Sequence, residues 1–266
     1  MRLLIIIGHN QEWAKWLERS LCRMKVVYIP WKMLMTAKID VLESLMTIGL
    51  KKECLEINQD TVFYFSDRQG LYQCYQFNKD RYYQQAAWQA LIYFIGQQYP
   101  TINPINPNNS AFSDAFYISQ WSVASNWQGS VPSWSYQDKQ PKGYQSFSPG
   151  VYQRENSKLS IEPIANLIHY DVIDTELFRH TNKNQIDCSD ETVLDLAQKL
   201  MLYYGWQVGC ITIGLTQKNR WVLLSVFPEL KENKQLKMKA KAFNRSLTFI
   251  QKRLYISPEY RPKLTG

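Results

Sequence analysis

Cysteine and histidine are scarce in this chain of 266 residues, which has five of the first and three of the second. Cys22, Cys54, Cys74, Cys188 and Cys210 are odd in number, widely spaced and without a Cys-x-x-Cys pair. That pattern argues against a disulfide framework or a structural zinc site. His9, His169 and His180 are too scattered to suggest a metal site by spacing. No run of about 18 apolar residues occurs, so no spanning helix is expected. The opening apolar stretch runs straight into Gly8-His9-Asn10 without a small-residue cleavage site. It reads as a first core strand rather than a signal peptide, and a cytoplasmic location is expected. No Gly-x-x-x-x-Gly-Lys loop, Gly-x-Ser-x-Gly elbow or His-Glu-x-x-His helix is present to announce a chemistry. Cys210 as a nucleophile would need a histidine and an accessible position, whereas a strand cysteine is usually buried.

Apolar and aromatic residues are plentiful: 45% hydrophobic and 14% aromatic, with nine Trp and seventeen Tyr. Long disorder is unlike this composition, and the length suits one large domain or two small ones. The formal net charge of +8 is concentrated at one end. Residues 231–266 hold ten basic side chains against two acidic ones, and the first 230 residues balance at 21 of each. Lys237, Lys241, Arg245 and Lys252 make a candidate basic patch for nucleic acid or another polyanion. The same segment repeats Ala240, Phe243, Leu247, Ile250 and Leu254 at spacings of three and four. This equally describes a terminal helix that packs one stripe and turns its lysines to water.

Leu3 to Ile7 is a continuous apolar run, as in a strand buried on both faces. A helix over 11–24 and a second strand over 26–29 complete a β-α-β start, which favours a parallel sheet. A strand is expected over 61–65, and a helix over 79–98 with Ala86, Ala87, Ala90, Leu91 and Phe94 inward. A shorter helix is expected over 113–124. Residues 133–148, rich in Ser, Gln, Gly and Pro with interleaved aromatics, read as a loop. Beyond it come a short strand over 151–153 and a hairpin of 164–173 with 175–179. A helix over 190–204 follows, with Asp190 as N-cap and Gly205 as C-cap, then a hairpin of 209–215 with 221–226.

This order of elements resembles an ATP-grasp ligase of the RimK type, including the peptide-modifying members that make graspetides. Three stretches carry the resemblance. The first runs from Thr101-Ile102-Asn103-Pro104 through Phe112-Ser113-Asp114 to Val131-Pro132. The second is Val151-Tyr152-Gln153 with Asn166-Leu167 and the segment 170–174, similar to the nucleotide-hinge strand and the Asp-Leu-Arg strand. The third, 200–228, is similar to a helix, a Gly, an Asp-bearing strand and a Glu-Val-Asn-Pro strand. The resemblance implies an N-terminal parallel-sheet pre-ATP-grasp-like α/β domain, followed by a reduced α+β ATP-grasp-like domain lacking the lid subdomain. The divisions it implies are 1–110, a helix and aromatic connecting loop over 111–150, the reduced domain over 151–230, and a basic helix and tail over 231–266.

In that family ATP phosphorylates a carboxylate, an amine then attacks it, and Mg²⁺ held by carboxylate and carboxamide oxygens bridges the phosphates. Here Thr212 stands where the metal-binding Asp is implied, Ser225 and Phe227 where Glu and Asn are, and Ile168 in place of the Arg. Phe227 offers no oxygen at all. Gln153 is a remnant of the hinge, but Arg154 follows it where Glu is usual. Glu229 is the one acid close to these positions in the sequence. About 20 residues separate Val131-Pro132 from Val151, too few for several strands of 5 or 6 residues.

The resemblance, stripped of its metal ligands, implies a non-catalytic binding or scaffolding protein with no cofactor. Its partner would be a peptide, a protein or an active ATP-grasp paralogue, and a homodimer is implied by the family's habit. Trp121, Trp127, Trp134 and Tyr136 are candidates for an interface or peptide groove, since Trp and Tyr are enriched at contact cores; core packing would use them equally well. Two other readings stay open. One is an active ATP-dependent carboxylate–amine ligase using Mg-ATP. The other is a nucleic-acid binder acting through the basic helix, whose binding would fall steeply with salt.

Overall fold

An apolar run such as Leu4–Ile7 needs cover on both faces, and the computed structural model gives it that cover. It describes residues 2–8, 11–42, 45–51, 53–66, 81–103, 114–147, 158–180, 191–230 and 235–256, with the side chains of 81–85, 114–116 and 248–256 outside the description. β1 (Arg2–Gly8) pairs in parallel with β2 (Met24–Pro30) on one side and β6 (Thr61–Phe65) on the other. β7 (Thr101–Ile102) adds to β6, so the order is β2-β1-β6-β7. The helix α1 (Gln11–Ser20) turns Trp13, Ala14 and Leu17 inward. This is the β-α-β start that the sequence predicts.

Three antiparallel strands, not anticipated from the sequence, follow: β3 (Lys38–Leu42), β4 (Leu45–Gly49) and β5 (Cys54–Ile57). Met46, Ile48, Leu55 and Ile57 are buried on alternate positions. They share a core with Trp31 and Leu34 of α2 (Trp31–Leu34) and with Ile92 and Ile95 of α3 (Arg81–Gln98). That helix corrects the predicted face in part: Leu91 packs against this core as expected, but the alanines do not. Ala86, Ala87 and Ala90 are exposed, and the larger Ile92 and Ile95 take the core because they remove more apolar surface from water.

The chain forms two compact units, 1–105 with 235–266, and 106–234. The basic helix, α6 (Leu236–Ile256), therefore belongs with the first. Its Phe243 ring stands edge-on to Trp13 at 5.7 Å and lies 5.2 Å from Tyr64. Ala240, Phe243 and Leu247 are buried as their period predicts, and Lys237, Lys241 and Arg245 are exposed. Lys239 is a correction: it is buried at 1% exposure, not turned to water. The side chain of Lys252 lies outside the description, as does Pro258.

In the second unit, α4 (Asp114–Asn126) and α5 (Glu191–Tyr203) pack on an antiparallel sheet ordered β12-β11-β13-β14. Its strands are β11 (Ile164–Ile173), β12 (Glu176–Arg179), β13 (Val208–Thr216) and β14 (Trp221–Phe227). Both predicted hairpins are present, the first turning at Asp174 with φ 57°. Gly205 ends α5 at φ 70°. Its N–H bonds to Leu202 O at 3.0 Å and that of Trp206 to Met201 O at 2.8 Å, the paired C-cap pattern glycine permits. Asp190, the expected N-cap, lies outside the described residues, as does the strand expected over 151–153 with Gln153 and Arg154.

The segment 133–148 is not wholly a loop. β8 (Trp134–Tyr136) and β9 (Gln145–Ser146) pair with the two edges of β10 (Leu159–Ile161). Strands of two or three residues leave no periodicity to read, which is why the composition suggested a loop. Leu159, Ile161 and Phe147 anchor this small sheet in the core of the unit. Lys158 and Asp138 pair across its outer edge at 2.5 Å, and that hydrogen bond and charge hold the Asp138 carboxyl below its usual range.

Gly209 is fixed by close approach. A Cβ there would lie 2.3 Å from the Phe227 carbonyl oxygen and 3.0 Å from Met201. Gly209→Ala is therefore expected to cost about 2 kcal/mol by overpacking against backbone. Urea unfolding followed by circular dichroism would measure it, and an unchanged midpoint would show that β14 moves aside freely.

Candidate functional site

The register of the four-stranded sheet decides which side chains meet. Alternation sends residues i and i+2 of a strand to the same face, and cross-strand partners share a face. In β11 and β13, His169 opposes Thr212 and Asp171 opposes Cys210. In β13 and β14, Thr212 opposes Ser225 and Cys210 opposes Phe227. Asp171 also opposes Phe178 of β12, and the His180 N–H continues that ladder to the His169 carbonyl at 2.9 Å. Two rows thus cross one face: His180, His169, Thr212, Ser225, and beside it Phe178, Asp171, Cys210, Phe227.

Three of the four positions at which the sequence reading places lost ligands are adjacent in these rows. Thr212 and Ser225 face each other, and Phe227, two residues beyond Ser225 on the same strand, sits diagonal to Thr212. All three are buried. Ile168 does not join them. It points to the opposite side of β11, into the apolar core with Ile211 and Ile213, so no side chain at that position reaches the rows without moving the strand.

The rows are polar for a buried surface. His169 Nδ1 lies 3.0 Å from Thr212 Oγ1. Ser225 Oγ is buried with no hydrogen-bond partner among the described residues. Asp171, fully buried, has Oδ1 at 3.1 Å from His180 Nε2, although the approach is too bent for a hydrogen bond. Asp171 is the only carboxylate in the two rows. The sequence reading missed it, naming Glu229 as the nearby acid, because Asp171 comes from a strand some forty residues earlier. The predicted hairpin of 164–173 with 175–179 stops short of His180, and the observed register, in which Ile173 opposes Glu176, is what sets His169 against His180. The β11–β13 register that adds Asp171 and Cys210 has no signal in the sequence.

Helix α4 holds this sheet by its edge strand. Gln120 Nε2 donates to the Val226 carbonyl at 2.7 Å, and Gln120 Oε1 accepts from the Val226 N–H at 3.0 Å. The Trp121 indole N–H donates to the Leu224 carbonyl at 3.0 Å. These bonds satisfy groups that an edge strand would otherwise leave bare.

The expected aromatic groove is corrected in one member. Trp121 is fully buried, with its ring 5.1 Å from Phe147 and 6.4 Å from Tyr117. Trp127, Trp134 and Tyr136 are exposed. Trp127 meets Tyr203 edge-on at 5.7 Å, and the two help line an open pocket of about 680 Å³ with Asn126, Gln128, Lys199 and Leu202. Trp134 and Tyr136 lie apart from it on β8. Among the described residues no helix is long and apolar enough to cross a membrane.

No family model and no curated protein matches the chain. Solved structures do. The macrocyclase MdnC bound with precursor peptide MdnA, from Microcystis aeruginosa, aligns with a TM-score of 0.66 at 13% identity, over 94% of this chain and 100% of that one. A Chryseobacterium gregarium RiPP-associated ATP-grasp ligase, in complex with ADP and a leader and core peptide, aligns at 0.64 and 8% identity over 94% and 97%. D-alanyl-alanine synthetase A from Vibrio cholerae aligns at 0.58 and 9% over 95% and 99%. With both the parallel sheet and the antiparallel sheet in place, the chain has an ATP-grasp-like fold, similar to that of the RiPP-associated ATP-grasp ligase and the macrocyclase.

Proposed function

We propose that this chain is a non-catalytic ATP-grasp-like protein that binds or scaffolds a peptide or protein partner. The observation that carries the reading is the pair of rows on the antiparallel sheet. Thr212, Ser225 and Phe227 are neighbours there, and they supply two neutral hydroxyls and a phenyl ring. Mg²⁺ with a triphosphate needs hard, anionic or carboxamide oxygens to offset its charge. The single carboxylate of the rows, Asp171, is fully buried and lies against His180. A peptide is the favoured partner because the fold's relatives include ligases solved with precursor, leader and core peptides. The exposed Trp127, Trp134 and Tyr136 offer aromatic surface for such a contact.

Thermal unfolding with and without Mg-ATP separates this reading from an active ligase. A nucleotide present at about 100 times its Kd would stabilise the fold by about 2.7 kcal/mol. For a chain of this size that is a rise of about 5–10 °C. No Mg-dependent rise is expected; a rise of that order, abolished by EDTA, would restore the ligase.

A further inference from the structure

We propose that Asp171, His180 and Cys210 form a zinc site inside the antiparallel sheet. One donor atom from each lies within 4.8 Å of the other two. Tetrahedral zinc, with bonds of about 2.0–2.3 Å, sets its donors roughly 3.3–3.8 Å apart. The Asp171–His180 contact of 3.1 Å is already near that spacing, and the cluster closes around an ion by a shift of about 1 Å. Each ligand comes from a different place: β11, the residue after β12, and β13. The ladder itself holds two of them, since Asp171 and Cys210 are register partners. An ion bound here would tie three strands together.

Two further observations favour a metal over a simple ion pair. His180 Nε2 is buried and makes no hydrogen bond, so the contact with Asp171 leaves its nitrogen unused. A zinc ion supplies the in-line partner that the bent approach to the carboxylate does not. Charge is the second. One dication balances one carboxylate and one thiolate with a neutral imidazole, leaving no net charge in a site where Asp171 and Cys210 are both fully buried. The donor set selects the metal. Thiolate with imidazole suits zinc and rejects magnesium and calcium, which take oxygen donors. Three protein ligands leave a fourth position for water. His169, its ring 5.7 Å from that of His180, borders the cluster without being one of the three.

The site is independent of the proposed loss of catalysis, because none of its ligands occupies a position implied for magnesium. Its test is spectroscopic. The full-length protein, stripped with EDTA, is titrated with Co²⁺. A thiolate-to-cobalt charge-transfer band saturating at one equivalent is expected, with visible bands of tetrahedral intensity, and Zn²⁺ should displace both stoichiometrically. Cys210→Ser, close in size to the native residue, should abolish the charge-transfer band while circular dichroism stays unchanged. Asp171→Asn should keep the band but weaken zinc binding by at least about 100-fold, above the cost of losing an outer-shell partner. Absence of the band in the native protein would overturn the site and leave an Asp171–His180 ion pair. So would a band that persists in Cys210→Ser, which would assign it to exposed Cys22 or Cys54 or to another cysteine.

Discussion

Trp121→Ala is expected to lower the stability of the 106–234 unit by about 3–5 kcal/mol, the cost of emptying a core site of a large aromatic. The indole is fully buried, is ringed by Tyr117, Phe147 and Trp134, and donates to the Leu224 carbonyl. Its loss opens a cavity and leaves that carbonyl bare in the same step. Trp121→Phe should recover most of the packing but not the hydrogen bond. Guanidinium unfolding of the three proteins gives the ordering. An Ala variant as stable as the native protein would return Trp121 to the surface groove that the sequence suggested.

Gln120→Leu should cost about 3 kcal/mol, although leucine is similar in size and more apolar. The side-chain amide copies a strand for the edge of β14, donating to Val226 O and accepting from Val226 N–H. Each buried group stripped of its partner costs about 1–3 kcal/mol. Since Gln120 and Trp121 grip neighbouring positions of one strand, the double variant should lose less than the two single losses combined. A strictly additive result would mean that the two hold β14 independently.

Elements were legible in this chain where periodicity and punctuation agreed. The β-α-β start followed from five apolar residues in a row, both hairpins from their turns, and the end of α5 from Gly205. What failed has a common physical cause. The face of α3 was placed correctly at Leu91 but wrongly at Ala86, Ala87 and Ala90, because three alanines make an apolar stripe as readily as Ile92 and Ile95 do, yet bury much less. Lys239 sat in a run of lysines that looked uniformly solvated. The strands β8 and β9 are too short to show alternation.

The site divides in the same way. The absence of carboxylates at 212, 225 and 227 could be read directly, because it concerns residue types at positions in one predicted hairpin or just after it. Their contact with Asp171, His169 and His180 could not, because strand pairing over forty residues is set by register, and a one-residue slip would send every side chain to the opposite face. The sequence therefore dismissed a metal site on spacing, while the fold brings two of its three histidines beside an aspartate and a cysteine.

Buried hydroxyls and a phenyl ring in place of charged oxygens are the centre of this account. Calorimetric titration of the full-length protein with ATP, in Mg²⁺ and then in EDTA, tests it most directly. The expected result is no magnesium-dependent heat at any nucleotide concentration up to the millimolar range. A saturable, magnesium-dependent heat of one nucleotide per chain, tight at micromolar concentrations and abolished by EDTA, would contradict it.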